Sequence, residues 1–277
     1  MIPSPSQSLL EFGPLTIHFY ALCIIAGVAA AIFIGNRRYI KSGGAPGVVG
    51  DVAIYAVPAG IIGGRLYHVA TSPQLYFGDG GRPIEALFIW KGGLGIWGAI
   101  SLGTLVAFLV YRRTKNNRGL SFSVFADALA PGLLVAQAIG RIGNWFNIEL
   151  FGRPLDAFWS LQVPLRYRPS GYSQFETFHP TFLYESLWCL GAALVLIKWK
   201  ALKNLQSGSI FLSYIALYSL GRLWIESLRI DDANLILGLR LNIWTSLVLI
   251  AVSTALLLKR NLQRHSRTKH NIEPLER

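Results

Sequence analysis

GGLGIWGAISLGTLVAFLVY, residues 92 to 111, holds no charged side chain from end to end. A bilayer core about 30 Å thick is crossed by about 20 apolar residues in a helix, where every backbone N–H and C=O is satisfied internally. This stretch therefore predicts a membrane-spanning helix. Working outward, six further apolar segments of comparable length lie near residues 17–35, 50–71, 121–141, 181–197, 208–226 and 241–258. Composition agrees: 52% of residues are hydrophobic and 14% charged, against about 25% charged in soluble domains. The expected fold class is all-α, a polytopic membrane protein with seven transmembrane helices. Residues 1–258 form one membrane domain and 259–277 a basic tail.

The distribution of Lys and Arg orients these helices, because basic residues in short connections stay in the cytoplasm. Arg37, Arg38 and Lys41 follow the first segment, Arg112, Arg113, Lys115 and Arg118 the third, and Lys198, Lys200 and Lys203 the fifth. Lys259, Arg260, Arg264, Arg267, Lys269 and Arg277 follow the last, so 16 of the 26 basic residues fall on one side if seven helices alternate. The N-terminus is then outside and the C-terminus cytoplasmic. Residues 142–180, rich in Pro, Gly and aromatics, form a small folded extracytoplasmic cap.

The net charge of +12 does not indicate nucleic acid, because the basic residues sit between apolar runs and form no basic face on a soluble domain. Cys23 and Cys189 lie inside apolar segments and read as small buried hydrophobes. Residues 1–14 contain no Lys or Arg, so the first apolar segment is expected to be retained and not cleaved as a signal peptide.

Three predicted helices rise from the cytoplasm, and each carries a Gly-Arg pair: Gly64-Arg65, Gly140-Arg141 and Gly221-Arg222. At 1.5 Å per residue, the arginines lie roughly 20 to 30 Å up, near the outer headgroups. Each alone could be an interfacial anchor, and Arg222 could pair with Glu226 four residues on. Three together point to a site, since intramembrane arginine is costly and guanidinium is shaped to clamp phosphate. Other polar residues gather on the same side: Asn144, Asn147 and Glu149 after Arg141, His179, Tyr184 and Glu185 at the fifth helix, and His18 and Tyr20 at the first. His68 follows Arg65 by three residues, and Asp127, lower in the fourth helix, reads as structural. Read from residues alone, this is a site for an anionic lipid of the outer leaflet.

GRIGNWFNIELFGRP, residues 140–154, resembles the signature of the prolipoprotein diacylglyceryl transferases, Gly-Arg-x-Gly-Asn-x-x-Asn-x-Glu-x-x-Gly. HFYAL at 18–22, GGRLY at 63–67, GGLGIWGA at 92–99, HPTFLYES at 179–186 and YSLGRLWIESLR at 218–229 resemble further family segments in the same order. The resemblance implies an enzyme of the bacterial cytoplasmic membrane, with a site facing the outer leaflet. It would move the diacylglyceryl group of phosphatidylglycerol onto the lipobox cysteine of prolipoprotein signal peptides, with no cofactor or metal. It implies phosphate binding by Arg141, with Asn144, Glu149 and Gly152 shaping the motif. Arg65 and Arg222 are further candidates for binding, and Arg141, Tyr20, His179, Arg222 and Glu226 for catalysis.

Trp97 stands where many family members have a histidine proposed to assist the cysteine, and indole cannot accept a proton. Either another residue then takes the thiol proton, with His18, His68 and His179 as candidates, Tyr20 and Glu149 behind them and His179 preferred, or a separate base is dispensable and the field of the arginines favours the thiolate. A transporter would spread polar groups through both leaflets and repeat its halves, and an assembly scaffold would not need three membrane arginines.

Overall fold

The computed structural model describes residues 1–13, 15–198 and 205–270, without the side chains of Leu15, Lys91 and residues 264–270. Lys200, Lys203 and Arg277 of the expected basic segments lie outside the described residues, as do the side chains of Arg264, Arg267 and Lys269. Two compact units are present, residues 36–125 and residues 1–35 with 126–277.

Within residues 36–125 the main elements are α2 (Val48–Thr71), the short α3 (Gln74–Phe77) and α4 (Ile96–Arg113). The sequence places the start of α4 at residue 92, but Gly92 and Gly93 adopt φ of 82° and 70°. That left-handed backbone keeps them out of the helix, so α4 begins at Ile96. Small residues let α2 and α4 approach closely: a Cβ at Gly63 would collide with the Gly98 carbonyl, and one at Gly98 with the Gly63 carbonyl. The Gly95 N–H also donates to the Gly64 carbonyl at 2.8 Å.

The other unit contains the hairpin β1 (Leu9–Phe12) and β2 (Leu15–His18), and the helices α6 (Thr181–Lys198), α7 (Ser209–Glu226) and α8 (Leu241–His270). It also holds most of α1 (Phe19–Lys41) and α5 (Phe122–Asn147). α1 meets α5 through small residues, where a Cβ at Gly27 would lie 3.0 Å from the Ala136 carbonyl and one at Gly132 2.9 Å from that of Ala31. Two more antiparallel pairs follow, β3 (Leu161–Gln162) with β4 (Thr177–Phe178) and β5 (Leu235–Ile236) with β6 (Leu239–Arg240). These three short hairpins among the described residues leave the protein mostly helical, in keeping with the expected all-α class.

Among the described residues, six helices are long and apolar enough to cross a membrane: α1, α2, α4, α5, α6 and α8 through Gln263. α7 is 18 residues long but not among the six; Tyr214, Tyr218, Arg222 and Glu226 make part of its surface polar. Its start at Gly208 offers no side-chain cap, and Asp127 of α5 supplies one. The Asp127 carboxylate accepts the Gly208 N–H at 2.5 Å and the Phe211 N–H at 2.7 Å, satisfying donors that a helix start leaves unpaired. The structural reading of Asp127 therefore has a specific content: it caps the helix that bears Arg222.

Of the two cysteines, Cys189 is fully buried, whereas Cys23 is partly exposed, which corrects the reading of both as buried. Both are free thiols.

Candidate active site

The fourth predicted segment does not stop at Arg141. α5 runs on to Asn147, so Arg141, Asn144 and Asn147, spaced by three, share one helical face. The chain then turns sharply: Ile148 and Leu150 both take left-handed backbone, φ 53° and 61°. That conformation is rare for a β-branched residue and costs about 1 to 3 kcal/mol, a strain that collects at functional sites. Its result is that Glu149 folds back over the helix end, where it accepts the Asn144 amide at 2.8 Å and the Asn147 amide at 3.1 Å. Asn144 in turn accepts Arg141 Nη1 through its Oδ1 at 3.2 Å.

From Arg141 a chain of ion pairs crosses three helices. Arg141 Nη2 lies 2.7 Å from Glu185 Oε1, and Arg222 Nη1 lies 3.2 Å from Glu185 Oε2. One carboxylate of α6 is thus held between a guanidinium of α5 and one of α7. Tyr218 adds a bridge, accepting from Arg141 at 3.4 Å and donating to Glu185 Oε1 at 3.3 Å. Arg222 Nη2 continues to Glu226 Oε2 at 2.7 Å, the i to i+4 pair expected from sequence. Glu226 also meets Arg240 Nε at 2.7 Å and the Asn242 amide at 3.1 Å. Arg229 lies 3.7 Å from Glu226.

Beyond α7 the network ends on Asp231, which takes both Nε and Nη2 of Arg229 at 2.7 Å and Nη2 of Arg240 at 3.0 Å. Burial raises the Asp231 pKa, but the two arginines outweigh it and hold the carboxyl below its ordinary value. Four arginines, 141, 222, 229 and 240, share three carboxylates, Glu185, Glu226 and Asp231. Glu149 reaches Arg141 only through Asn144. The carboxylates are almost wholly enclosed, Glu185 exposed by 5% and Glu226 by 0%, whereas Arg141 keeps 21% of its side chain accessible.

Gly152 works as a crossing point. Its N–H donates to the His179 carbonyl at 3.0 Å, and the next N–H, of Arg153, donates to Leu228 at 2.9 Å. A Cβ there would stand 2.8 Å from His179 Cβ and 2.9 Å from the Leu228 carbonyl, so only glycine lets the motif, the start of α6 and the end of α7 meet. Tyr20 of α1 packs on Gly143, where an added Cβ would lie 2.7 Å from its ring, within electrostatic reach of Arg141 and Glu149.

His179 stands at the edge of this region. Its Nδ1 lies 3.2 Å from the Tyr184 hydroxyl, which also accepts Trp159 Nε1 at 3.1 Å. Burial, and then the charge of Arg153, lower its pKa, so the ring is neutral at pH 7. Tyr184 stacks on Trp224 at 6.0 Å between ring centroids. Both line an apolar groove of about 540 Å³ between α6 and α7, along with Leu187, Trp188, Val195 and Leu217.

Arg65 lies in the other unit and is committed locally. It donates to the carbonyls of Ala86 at 2.9 Å, Gly92 at 2.6 Å, Gly93 at 3.1 Å and Glu85. Its guanidinium also sits 5.2 Å over the Tyr76 ring. His68 packs edge-on against Tyr76, and His18 ends β2 opposite Leu9. Trp97 is 39% exposed on α4.

The profile of the family described as prolipoprotein diacylglyceryl transferase matches residues 7–259. The chain belongs to the prolipoprotein diacylglyceryl transferase family. Among its relatives, phosphatidylglycerol–prolipoprotein diacylglyceryl transferase 2 of Streptomyces coelicolor is 51% identical over 257 residues, covering 92% of this chain and 80% of the relative. The enzyme so named in Cutibacterium acnes is 52% identical over 257 residues, covering 93% and 86%. That of Paenarthrobacter aurescens is 49% identical over 266 residues, covering 93% and 82%.

This transferase chain brings together Arg141, Asn144, Glu149, Arg222 and Glu226, as the sequence implied. It adds Tyr218, Arg229, Asp231 and Arg240, which were not among the sequence candidates, and it gives Glu185, named in sequence only among the polar residues of the fifth helix, two arginine partners. A charged residue inside an apolar helix was the available signal for Glu185. Arg240 and Asp231 gave none, because they lie in a polar connection where charge is ordinary.

Proposed function

We propose that this protein transfers the diacylglyceryl group of phosphatidylglycerol to the lipobox cysteine of prolipoproteins, forming a thioether and releasing glycerol phosphate. The observation that carries the reading is the convergence of Arg141 and Arg222 on one carboxylate, with four arginines set against three acids. A phosphodiester presents two non-bridging oxygens to the same pair of guanidinium groups, and bidentate contact gives both orientation and charge stabilisation.

The reaction is displacement at the glycerol carbon that bears the phosphate. Negative charge grows on the leaving phosphate as the C–O bond breaks, and preorganised guanidinium groups in a water-poor site stabilise it. Asn144 and Glu149 hold Arg141 in place from one side, and Glu226 holds Arg222 from the other. Tyr20 fixes α1 against the motif, and His179 positions Tyr184 at the mouth of the apolar groove, whose lining suits an acyl chain. Arg65 is assigned to bracing the segment before α4 and not to the phosphate, because four backbone carbonyls already occupy it.

The proposed setting is the bacterial cytoplasmic membrane. In this reading seven helices span, α7 among them, with the N-terminus outside, the C-terminus in the cytoplasm, the motif toward the outer leaflet and the segment expected at 142–180 as a cap, its first residues continuing α5. α7 spans because its polar side chains face α5 and α6, where they are paired and not exposed to lipid. The test is incubation of purified protein with phosphatidylglycerol and a lipobox peptide. A thioether adduct is expected, seen by mass spectrometry, and none with the Cys→Ser peptide. An unmodified cysteine peptide would sink the reading.

A further inference from the structure

Among the described residues, Glu185 is the one carboxylate that sits between the two guanidinium groups assigned to phosphate, and it uses both oxygens to do so. A carboxylate and a phosphodiester compete for the same donors with similar bite. Lipid phosphate therefore cannot engage Arg141 and Arg222 fully while Glu185 holds them. The groups that face Glu185 are Arg141 from α5, Tyr218 and Arg222 from α7, and Cys189 one turn along its own helix. Among the described residues no histidine faces it, and Trp97 fills the position where a base is expected from the resemblance.

Resting on the transferase reading above, we infer that Glu185 is a stand-in for the substrate phosphate and, once displaced, the base that takes the thiol proton. In the resting state the arginines occupy its lone pairs. Arrival of the phosphodiester at Arg141 and Arg222 frees an oxygen of Glu185 beside the reacting centre. The S–H bond then breaks, with the proton passing to Glu185. The sulfur pair forms the S–C bond at the glycerol carbon while the C–O bond to phosphate breaks, its electron pair leaving on oxygen. The departing glycerol phosphate is a monoester dianion, whose second pKa is about 6. It takes the proton from Glu185 as it leaves, and the restored carboxylate returns to the arginines and helps expel the product. The base is thus available only when lipid is bound, so the thiol is activated only when an acceptor is in place.

The test compares wild-type protein with Glu185→Gln in uncharged detergent, using dioctanoyl phosphatidylglycerol as the binding probe in titration calorimetry and a lipobox peptide for turnover. Glu185→Gln is expected to bind the lipid at least as tightly as wild type, because the internal competitor has lost its charge. Its kcat should fall by about 100-fold or more, the usual contribution of a general base. The residual rate should climb about tenfold per pH unit as the free thiol, of pKa about 8.5, ionises by itself. Weakened lipid binding would make Glu185 a structural holder of the arginines and overturn the inference, as would a kcat within a few-fold of wild type. Glu185→Asp covers the case in which the glutamine variant fails to fold. It keeps the charge, so lipid affinity should be preserved with a lowered kcat and no steep alkaline rise; loss of lipid binding in a folded Asp variant, or failure of both to fold, overturns the inference. Wild-type protein that binds the lipid yet forms no thioether would overturn the transferase reading itself, an outcome separate from any shown by the variants.

Discussion

Replacing Arg141 by Lys keeps the charge and removes the fork. Arg141 reaches Asn144 through Nη1 and both Glu185 and Tyr218 through Nη2, so its two terminal nitrogens serve different partners on different helices. An ammonium group on a flexible stem can occupy one of those positions at a time. At about 1.5 kcal/mol or more for each hydrogen bond to a charged group, loss of one or two such contacts to a phosphate removes about 2 to 4 kcal/mol of transition-state stabilisation. At 1.36 kcal/mol per factor of ten, kcat/KM should fall by about 30- to 1000-fold. The assay is steady-state transfer to a lipobox peptide at fixed phosphatidylglycerol, with thermal denaturation to show that the variant folds. A folded Arg141→Lys protein within about threefold of wild type would refute the forked contact and leave a purely electrostatic role.

Other variants probe separate parts of the structure. Gly152→Ala forces a methyl against His179 and Leu228, an overpacking worth about 1 to 3 kcal/mol, so its melting temperature and activity should fall together; a variant as stable as wild type would mean that the crossing is not tight. His179→Gln can still bond the Tyr184 hydroxyl and should keep its activity within a few-fold; loss of the acid limb of the pH–rate profile would make His179 the base. Because the folded state lowers its pKa below 6.5, His179 costs stability as pH falls below 6.5, where the unfolded chain protonates first. The Gln variant should lose less stability than wild type between neutral and mildly acidic pH, as read by chemical denaturation. Trp97→Phe should retain most activity, since the indole takes no proton. Cysteine at Arg113 should be shielded from an impermeant thiol reagent in intact cells and cysteine at Tyr172 labelled; the reverse pattern would invert the topology.

The spanning helices were legible because charge-free runs in a bilayer leave few alternatives for the backbone. Their ends were less so. Gly92 and Gly93 look apolar in a sequence window yet adopt left-handed backbone, and Asn144 and Asn147 look like a loop yet continue α5. At the site, the motif arginine and its partners Asn144 and Glu149 could be named from sequence, but the strained turn at Ile148 and Leu150 could not. Glu185 was visible as an oddity within an apolar helix, whereas its role depends on two arginines 44 and 37 residues away in the chain. Arg65 shows the opposite case: a Gly-Arg pair matching the other two in sequence, but tied to local carbonyls that no residue pattern reveals.

In the proposed reaction the lipid's diacylglyceryl carbon, and not its phosphorus, ends on the cysteine. Phosphatidylglycerol carrying one isotope in the diacylglycerol backbone and another at phosphorus, incubated with purified protein and a lipobox peptide, separates the two. The backbone label is expected in the peptide and the phosphorus label in free glycerol phosphate, in equal amounts. Phosphorus in the peptide, or both labels remaining in the lipid, would contradict it.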